Sequence, residues 1–353
     1  MVFRETVALY RPKIDAALKS TLDEKVSQAK SLKPIHSYYY ETLSDFVIRG
    51  GKRIRPVCLM MAAKGFGFKD DDSLLKLACA VELLHDSTLI HDDVIDSDET
   101  RRGGPTCFVS FREWHKKHFG AADQKFGESV AILLGDTCYS LAGSIVLGSK
   151  LSAEKIVNAM RRMSDCYGTV CEGQIYDLML EKSKDVSEEE NLKVADLKTG
   201  VLLAAPVLIG AEAAGAGGKS LDALEKYCLL LGRAFQIQDD IIGSFGDEKT
   251  TGKPTDGDIR DGKKTLLVIY ALARADERQK KALSDALGNK RASPVQVEAV
   301  KRVFRETGAL DYVKDKSNGL VKECKDWLSK AGLSQESFKF FSELADYAVN
   351  RGV

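Results

Sequence analysis

Apolar residues recur at steps of three and four over most of this chain, and that period admits helices and little else. Leu77, Val81, Leu84 and Thr88, spaced by 4, 3 and 4, share one helix face. Segments 128–148, 153–180, 192–216, 221–243, 263–286, 294–308, 311–331 and 334–350 read as further helices. Alternating β-branched runs of the strand type are few. Of seven prolines, Pro34, Pro56, Pro105, Pro254 and Pro294 fall at breaks in the pattern. The charged runs "KDDD" (69–72) and "SEEE" (187–190) read as solvated turns or helix starts. No Pro- or Ser-rich linker or short-period repeat divides residues 1–353, so the expectation is one all-α domain.

Composition removes several classes of function. Basic and acidic residues balance at 52 each, which leaves no basic footprint for nucleic acid. Apolar content of 44% allows a sizeable core. No run of 18 apolar residues is present, so no membrane span is expected. The N-terminal stretch carries charges throughout and lacks the apolar centre of a signal peptide. Eight cysteines are scattered without a C-x-x-C pair, which reads as reduced core filler in a cytoplasmic protein.

Against this background "LIHDDVIDSDETRRG" (89–103) stands out, with five acids between Asp92 and Glu99 and then Arg101 and Arg102. Asp92 and Asp96, four apart, project from one helix face about 40° from each other. Two carboxylates so placed repel, and a hard divalent cation removes that cost. Magnesium suits carboxylate oxygens, keeps some waters and completes its shell from substrate phosphate. Taken alone the pair also reads as a solvated acidic turn. A second acidic pair, Asp239 and Asp240, follows another apolar run, "LLLGRAFQIQ", with Asp247, Lys253, Lys263 and Lys264 beyond it. The chain thus twice writes the order apolar helix, paired aspartates, cations. Carboxylates, magnesium, Arg and Lys are what holding a diphosphate requires, and two such sites facing each other would clamp one diphosphate from both sides.

Three shorter elements join them. "GGKRIRP" (50–56) places Lys52, Arg53 and Arg55 behind two glycines that let backbone approach an anion closely. "DLKTG" (196–200) sets Lys198 and Thr199 in an otherwise apolar helix, where a polar pair needs partners. "CEGQIYDL" (171–178) carries Gln174 and Asp177 on adjacent turns.

Together and in this order, these five elements resemble the trans-isoprenyl diphosphate synthases, from about residue 34 to 270. "DDVID" followed by "RRG" matches that family's first aspartate-rich motif, and the second block runs from "QDD" through "GDE" and "TGKP" to "GKKT". The resemblance implies a bundle of antiparallel helices around a large central cavity (the isoprenoid synthase type I fold), usually as a homodimer. It implies about three magnesium ions and head-to-tail, 1′-4 condensation of isopentenyl diphosphate with an allylic diphosphate. By that likeness Asp92, Asp96 and Asp239 bind metal, with Asp93 and Asp240 in support. Arg101, Lys198, Lys253 and Lys263 would hold the allylic diphosphate. Lys52, Arg55, His85 and Arg102 would hold isopentenyl diphosphate. Thr199, Gln174 and Gln236 would line the reacting centre, with Asp177 in support. The departing pyrophosphate is the base favoured in the family, so no His or Cys base is needed. One position departs from the family pattern: Gly243 stands where a third aspartate is usual, and Asp247 is the next acid.

Product length is expected to follow from the helix before Asp92. One helical turn, about 5.4 Å, matches roughly one isoprene unit, and a tail anchored at Asp92 would pass Thr88, Leu84, Val81 and Leu77 in turn. Farnesyl-type enzymes typically carry a bulky aromatic four or five residues before the first aspartate; Thr88 and Ser87 are small. The expected product is therefore C20 or C25, with a longer chain as the alternative. A class I terpene cyclase would not need "GGKRIRP". An HD-type phosphohydrolase is disfavoured because His85 and His91, six apart, do not share a helix face. A regulatory subunit of a heteromeric synthase is the non-enzymatic alternative; such subunits lose aspartates that this chain keeps. Trp114, His115 and His118 read as a surface helix, and Asp86 as either orienting His85 or facing solvent.

Overall fold

The computed structural model describes residues 2–183, 185–246 and 256–351. Asp247, Lys253 and Pro254 lie outside these residues. The described residues are helical almost throughout, with one two-stranded hairpin, β1 (Thr100–Arg101) and β2 (Gly104–Pro105). Two compact units make up the chain.

The first unit comprises Met1–Tyr167, Ala205–Gly217 and Leu333–Phe340. It carries α1 (Val2–Ala29), α2 (Pro34–Ile48), α3 (Ile54–Gly65), α4 (Asp71–Ile95), α5 (Cys107–Phe119) and α6 (Gln124–Leu147). α4 starts where Asp70 accepts a hydrogen bond from the Ser73 amide at 3.1 Å, so "KDDD" is a helix start. Its Leu74, Leu77, Val81 and Leu84 are all buried, and it packs along α6, where Leu134, Cys138 and Leu141 are buried. Each such leucine stabilises the fold by roughly 1.5–3 kcal/mol through burial. α5 is a surface helix, with Trp114 stacked on His118.

The second unit comprises Gly168–Ala204, Gly218–Gly332 and Phe341–Val353. α7 (Ala153–Lys182) enters it, followed by α8 (Glu188–Ala195), a π-helical turn (Asp196–Gly200) and the start of α9 (Val201–Ala213). α10 (Lys219–Phe245) packs on α15 (Ala309–Leu328), with Tyr227, Leu231 and Ala234 buried on one side and Val313, Leu320 and Cys324 on the other. The short α11 (Gly257–Asp261) and the helices α12 (Leu266–Arg274), α13 (Glu277–Ala286) and α14 (Pro294–Glu306) surround them; α16 (Gln335–Val349) closes the chain.

Three expectations change. The segment 263–286 is two helices, because Asp276 and Gln279 form a reciprocal capping box that ends α12 and starts α13. The segment 192–216 starts earlier, at the Ser187–Glu190 capping box, and is interrupted by the π turn. Asp239 and Asp240 do not end α10, which continues to Phe245. Seven cysteines are buried as core filler, and Cys171 is exposed. Two stretches, Gln124–Leu147 and Glu188–Ala213, are long and apolar enough to cross a membrane. The second is mostly buried in the protein, the first less than half.

The π turn depends on one close approach. A Cβ at Gly232 of α10 would lie 2.5 Å from the Gly200 Cα and 2.7 Å from its amide nitrogen, both backbone atoms that cannot swing aside. Gly232→Ala should therefore destabilise the protein by about 1–3 kcal/mol, read as a lower Tm in circular dichroism melts. An unchanged Tm would mean that the turn does not need this contact.

Candidate active site

In the first unit the site grows from the last turn of α4. Asp92 is half-buried, Asp93 buried and Asp96 exposed as the C-cap of α4. Carboxylates at a helix C-terminus meet the negative end of its dipole, so the placement needs cations. The hairpin after α4 supplies one. Its two central residues, Arg102 and Gly103, have φ of 53° and 74°, the left-handed pair that a tight two-residue hairpin requires. Arg49 Nη1 donates to the Pro105 carbonyl at 2.8 Å and steadies the turn. Arg101 folds back to bond Asp93 through Nε, with Nη2 3.3 Å from Asp98 and 3.8 Å from Asp92. Burial pushes the Asp93 carboxyl up to about 7 against the pull of Arg101, and its Oδ2 is buried without a hydrogen-bond partner.

About two turns before Asp92 on α4, His85 meets Arg55 of α3, with Arg55 Nη1 3.0 Å from His85 Nε2. Guanidinium can only donate, so Nε2 accepts and the ring hydrogen sits on Nδ1. Burial, then the neighbouring arginines, hold the His85 pKa well below its usual value, so the ring is neutral. His85 Nδ1 and Arg55 Nε are both buried donors without a partner. Such orphans are costly and rare in a finished core. They fit a site built to receive oxygen acceptors.

Two sequence expectations fail here. Arg53 does not attract an anion: it is 1% exposed and bonded to Asp15, Glu82 and the Val47 carbonyl. Asp86 does not face solvent or orient His85. It is fully buried and accepts from Arg102 Nη2 at 2.9 Å. Lys52 stays exposed beside them.

In the second unit the π turn presents Lys198 and Thr199. Lys198 pairs with Asp177 of α7 at 2.7 Å. Thr199 donates to Gln236 Oε1 at 3.1 Å, and Gln236 Nε2 donates to Asp240 at 3.0 Å. The turn is fixed by a bidentate Arg233–Asp196 pair, both bonds 2.7 Å. Gln174 is half-buried on α7. Asp239 is the exposed member of its pair and bonds Arg351 Nη2 at 2.7 Å. Asp240 is buried, and burial, then Asp258, hold its proton well above the ordinary carboxyl range.

Asp258 is the residue that sequence reasoning missed. It lies on α11, 3.5 Å from Lys263, and a Cβ at Gly243 would come within 2.5 Å of its Oδ2. A carboxylate therefore does stand at Gly243, delivered from fifteen residues further along the chain. The signal was in "DGDIRDGKK", where Asp258 falls within the second aspartate block but was given no role.

The donor set fits magnesium. In the first unit Asp92 and Asp96 offer hard carboxylate oxygens, and in the second unit Asp239 does, the donor type that magnesium takes.

The family model described as polyprenyl synthetase matches residues 36–306. A geranylfarnesyl diphosphate synthase of Aeropyrum pernix is 36% identical over 86% of this chain and 91% of its own length. A geranylgeranyl diphosphate synthase of Methanosarcina mazei is 36% identical over 88% and 89%. The structure is similar to that of a geranylgeranyl pyrophosphate synthase from Corynebacterium glutamicum, complexed with isoprenyl diphosphate and magnesium. That likeness has a TM-score of 0.88 at 31% identity, covering 96% of this chain and 99% of the other.

Asp86 generates a test. Burial and the nearby Glu82 push its carboxyl up to about 7, against Arg102 and Arg53. An acid whose folded pKa is raised contributes stability that is full below its unfolded value, about 4, and is lost as pH rises through the folded value. The Tm of wild type relative to Asp86→Asn should therefore fall between pH 5 and pH 8. A difference that stays constant across that range would contradict the assignment.

Proposed function

The chain belongs to the polyprenyl synthetase family, and from that premise we propose how its residues run a prenyl transfer. It is a trans-prenyltransferase with the all-α isoprenoid synthase fold, condensing isopentenyl diphosphate with allylic diphosphates to C20 or C25 products. The observation that carries the residue assignment is the pair of orphaned donors on Arg55 and His85, beside a helix end rich in carboxylates.

Arg55, His85, Lys52 and Arg102 bind isopentenyl diphosphate, the Nδ1 hydrogen of His85 and the Nε hydrogen of Arg55 meeting its oxygens. Arg101, Lys198, Lys253 and Lys263 bind the allylic diphosphate. Asp92, Asp96 and Asp239 would hold magnesium, about three ions by family likeness, which would supply neutralisation of that leaving group's charge. Lys198 is kept in place by Asp177, and Asp93 keeps Arg101 folded towards Asp92. As the allylic C–O bond breaks, the Thr199 hydroxyl oxygen and the Gln236 carbonyl oxygen stabilise the cation with fixed dipoles. The double bond of isopentenyl diphosphate attacks, and a proton then passes to the released pyrophosphate. Asp258 with Lys263 completes the acidic set at Gly243. The cation requires that water be excluded, or it would be quenched.

On α4, Val81 and Leu84 are buried below Thr88, which is part-buried, and Ser87, which is fully buried. The hydroxyls of Ser87 and Thr88 bond carbonyls of their own helix at 2.7 and 2.8 Å, so neither needs a partner from the tail. These residues set product length. The homodimer is assigned to α6: Ile132, Leu133 and Leu147 are exposed on it. Leu133, Val130 and Tyr39 line a largely apolar cavity of about 570 Å³ that a second copy would cover.

The test is an incubation with magnesium, radiolabelled isopentenyl diphosphate and dimethylallyl, geranyl or farnesyl diphosphate, followed by sizing of the alcohols. Wild type should yield C20 or C25, and Asp92→Asn or Asp239→Asn should lose at least about 100-fold in kcat. Thr88→Phe should shorten the product to C15; an unchanged product would move the floor to another helix. Leu133→Asp should turn a dimer into a monomer in light scattering, and a monomeric wild type would remove the dimer assignment.

A further inference from the structure

Among the described residues three non-glycines have positive φ, and two of them, Arg53 at 52° and Arg102 at 53°, meet at one buried carboxylate. The hairpin explains the backbone of Arg102. No hairpin explains Arg53, which is the N-cap of α3 and makes no side-chain cap. A left-handed non-glycine residue persists where its surroundings over-determine it, and those of Arg53 do. Its Nε donates to Asp15 of α1 at 2.7 Å, its Nη2 to the Val47 carbonyl of α2 at 2.5 Å, and its Nη1 to Glu82 of α4 at 2.5 Å. The same Nη1 lies 3.9 Å from Asp86 Oδ2, and the other oxygen of Asp86 accepts from Arg102. Gly51 lies against this cluster: a Cβ there would be 3.4 Å from both Arg102 Nη2 and Glu82 Oε1.

A buried ion network of this kind adds little net stability, because desolvation offsets the attraction. Its yield is geometry. With its side chain wholly buried, Arg53 touches no ligand. Its neighbours in sequence, Lys52 and Arg55, and the residues its partners hold, His85 on α4 and Arg102 on the hairpin, are the four assigned to isopentenyl diphosphate. We propose that Arg53 is a positioning residue for that diphosphate, fixing the 50–55 loop to α4 through Glu82 and, through Asp86, setting Arg102 in the same frame. The proposal rests on the prenyltransferase reading above.

The test is steady-state kinetics of Arg53→Lys, which keeps the charge and loses the planar fork, with each substrate varied in turn at pH 8. A misplaced loop should raise KM for isopentenyl diphosphate by about tenfold or more. KM for the allylic diphosphate and kcat should stay within about twofold of wild type. A purely structural role would instead lower the active fraction, leaving both KM values unchanged. If Arg53→Lys fails to fold in circular dichroism, Asp86→Asn and Asp15→Asn, the latter at the half-exposed rim of the network, carry the same test. Equal rises in both KM values, or a fall in kcat alone, would overturn the proposal. A wild type that condenses no isopentenyl diphosphate would remove the parent reading and this one with it.

Discussion

Mutual repulsion of carboxylates is the constraint around which this chain is arranged. α4 carries Asp92, Asp93 and Asp96 at the end of a helix whose dipole already points negative. α10 carries Asp239 and Asp240 within two turns of its own end. Each group relieves part of the strain by burying one member. Asp93 is sealed under Arg101, and Asp240 under Gln236, where burial holds its carboxyl well above the ordinary range. Asp92 stays half-buried and Asp96 and Asp239 stay exposed, as the metal role proposed for each requires.

The cations around these acids are not a diffuse positive field, since net charge is zero. They act singly, each held by a carboxylate that sets its direction: Arg101 by Asp93, Arg102 by Asp86, Lys198 by Asp177, Lys263 by Asp258. Held donors lose little freedom when an anion arrives, which is what preorganisation means energetically. The buried, partnerless donors of Arg55 and His85 extend the pattern: under the proposed function they are reserved for a ligand oxygen.

Much of this was legible in the sequence because helical period, capping residues and acidic spacing are local. The helix face Leu77–Thr88 and the "DDVID" helix end lie where the period placed them; the chain Thr199–Gln236–Asp240 became visible only in the structure. What escaped depends on partners far apart in the chain. Arg53 looked like one of three equivalent cations until Asp15 and Glu82 closed over it. Gly243 looked like a missing ligand until Asp258 arrived from α11. The division at Asp276 was readable as a capping box but was masked by apolar period on both sides.

The central proposal is that the accessible aspartates hold diphosphate through divalent ions. Calorimetric titration of inorganic pyrophosphate into wild type, Asp92→Asn and Asp239→Asn, with and without magnesium, tests it without turnover. The account predicts binding by wild type that requires magnesium and weakens at least about tenfold in each variant. Equal affinity without the metal, or in both variants, would contradict it.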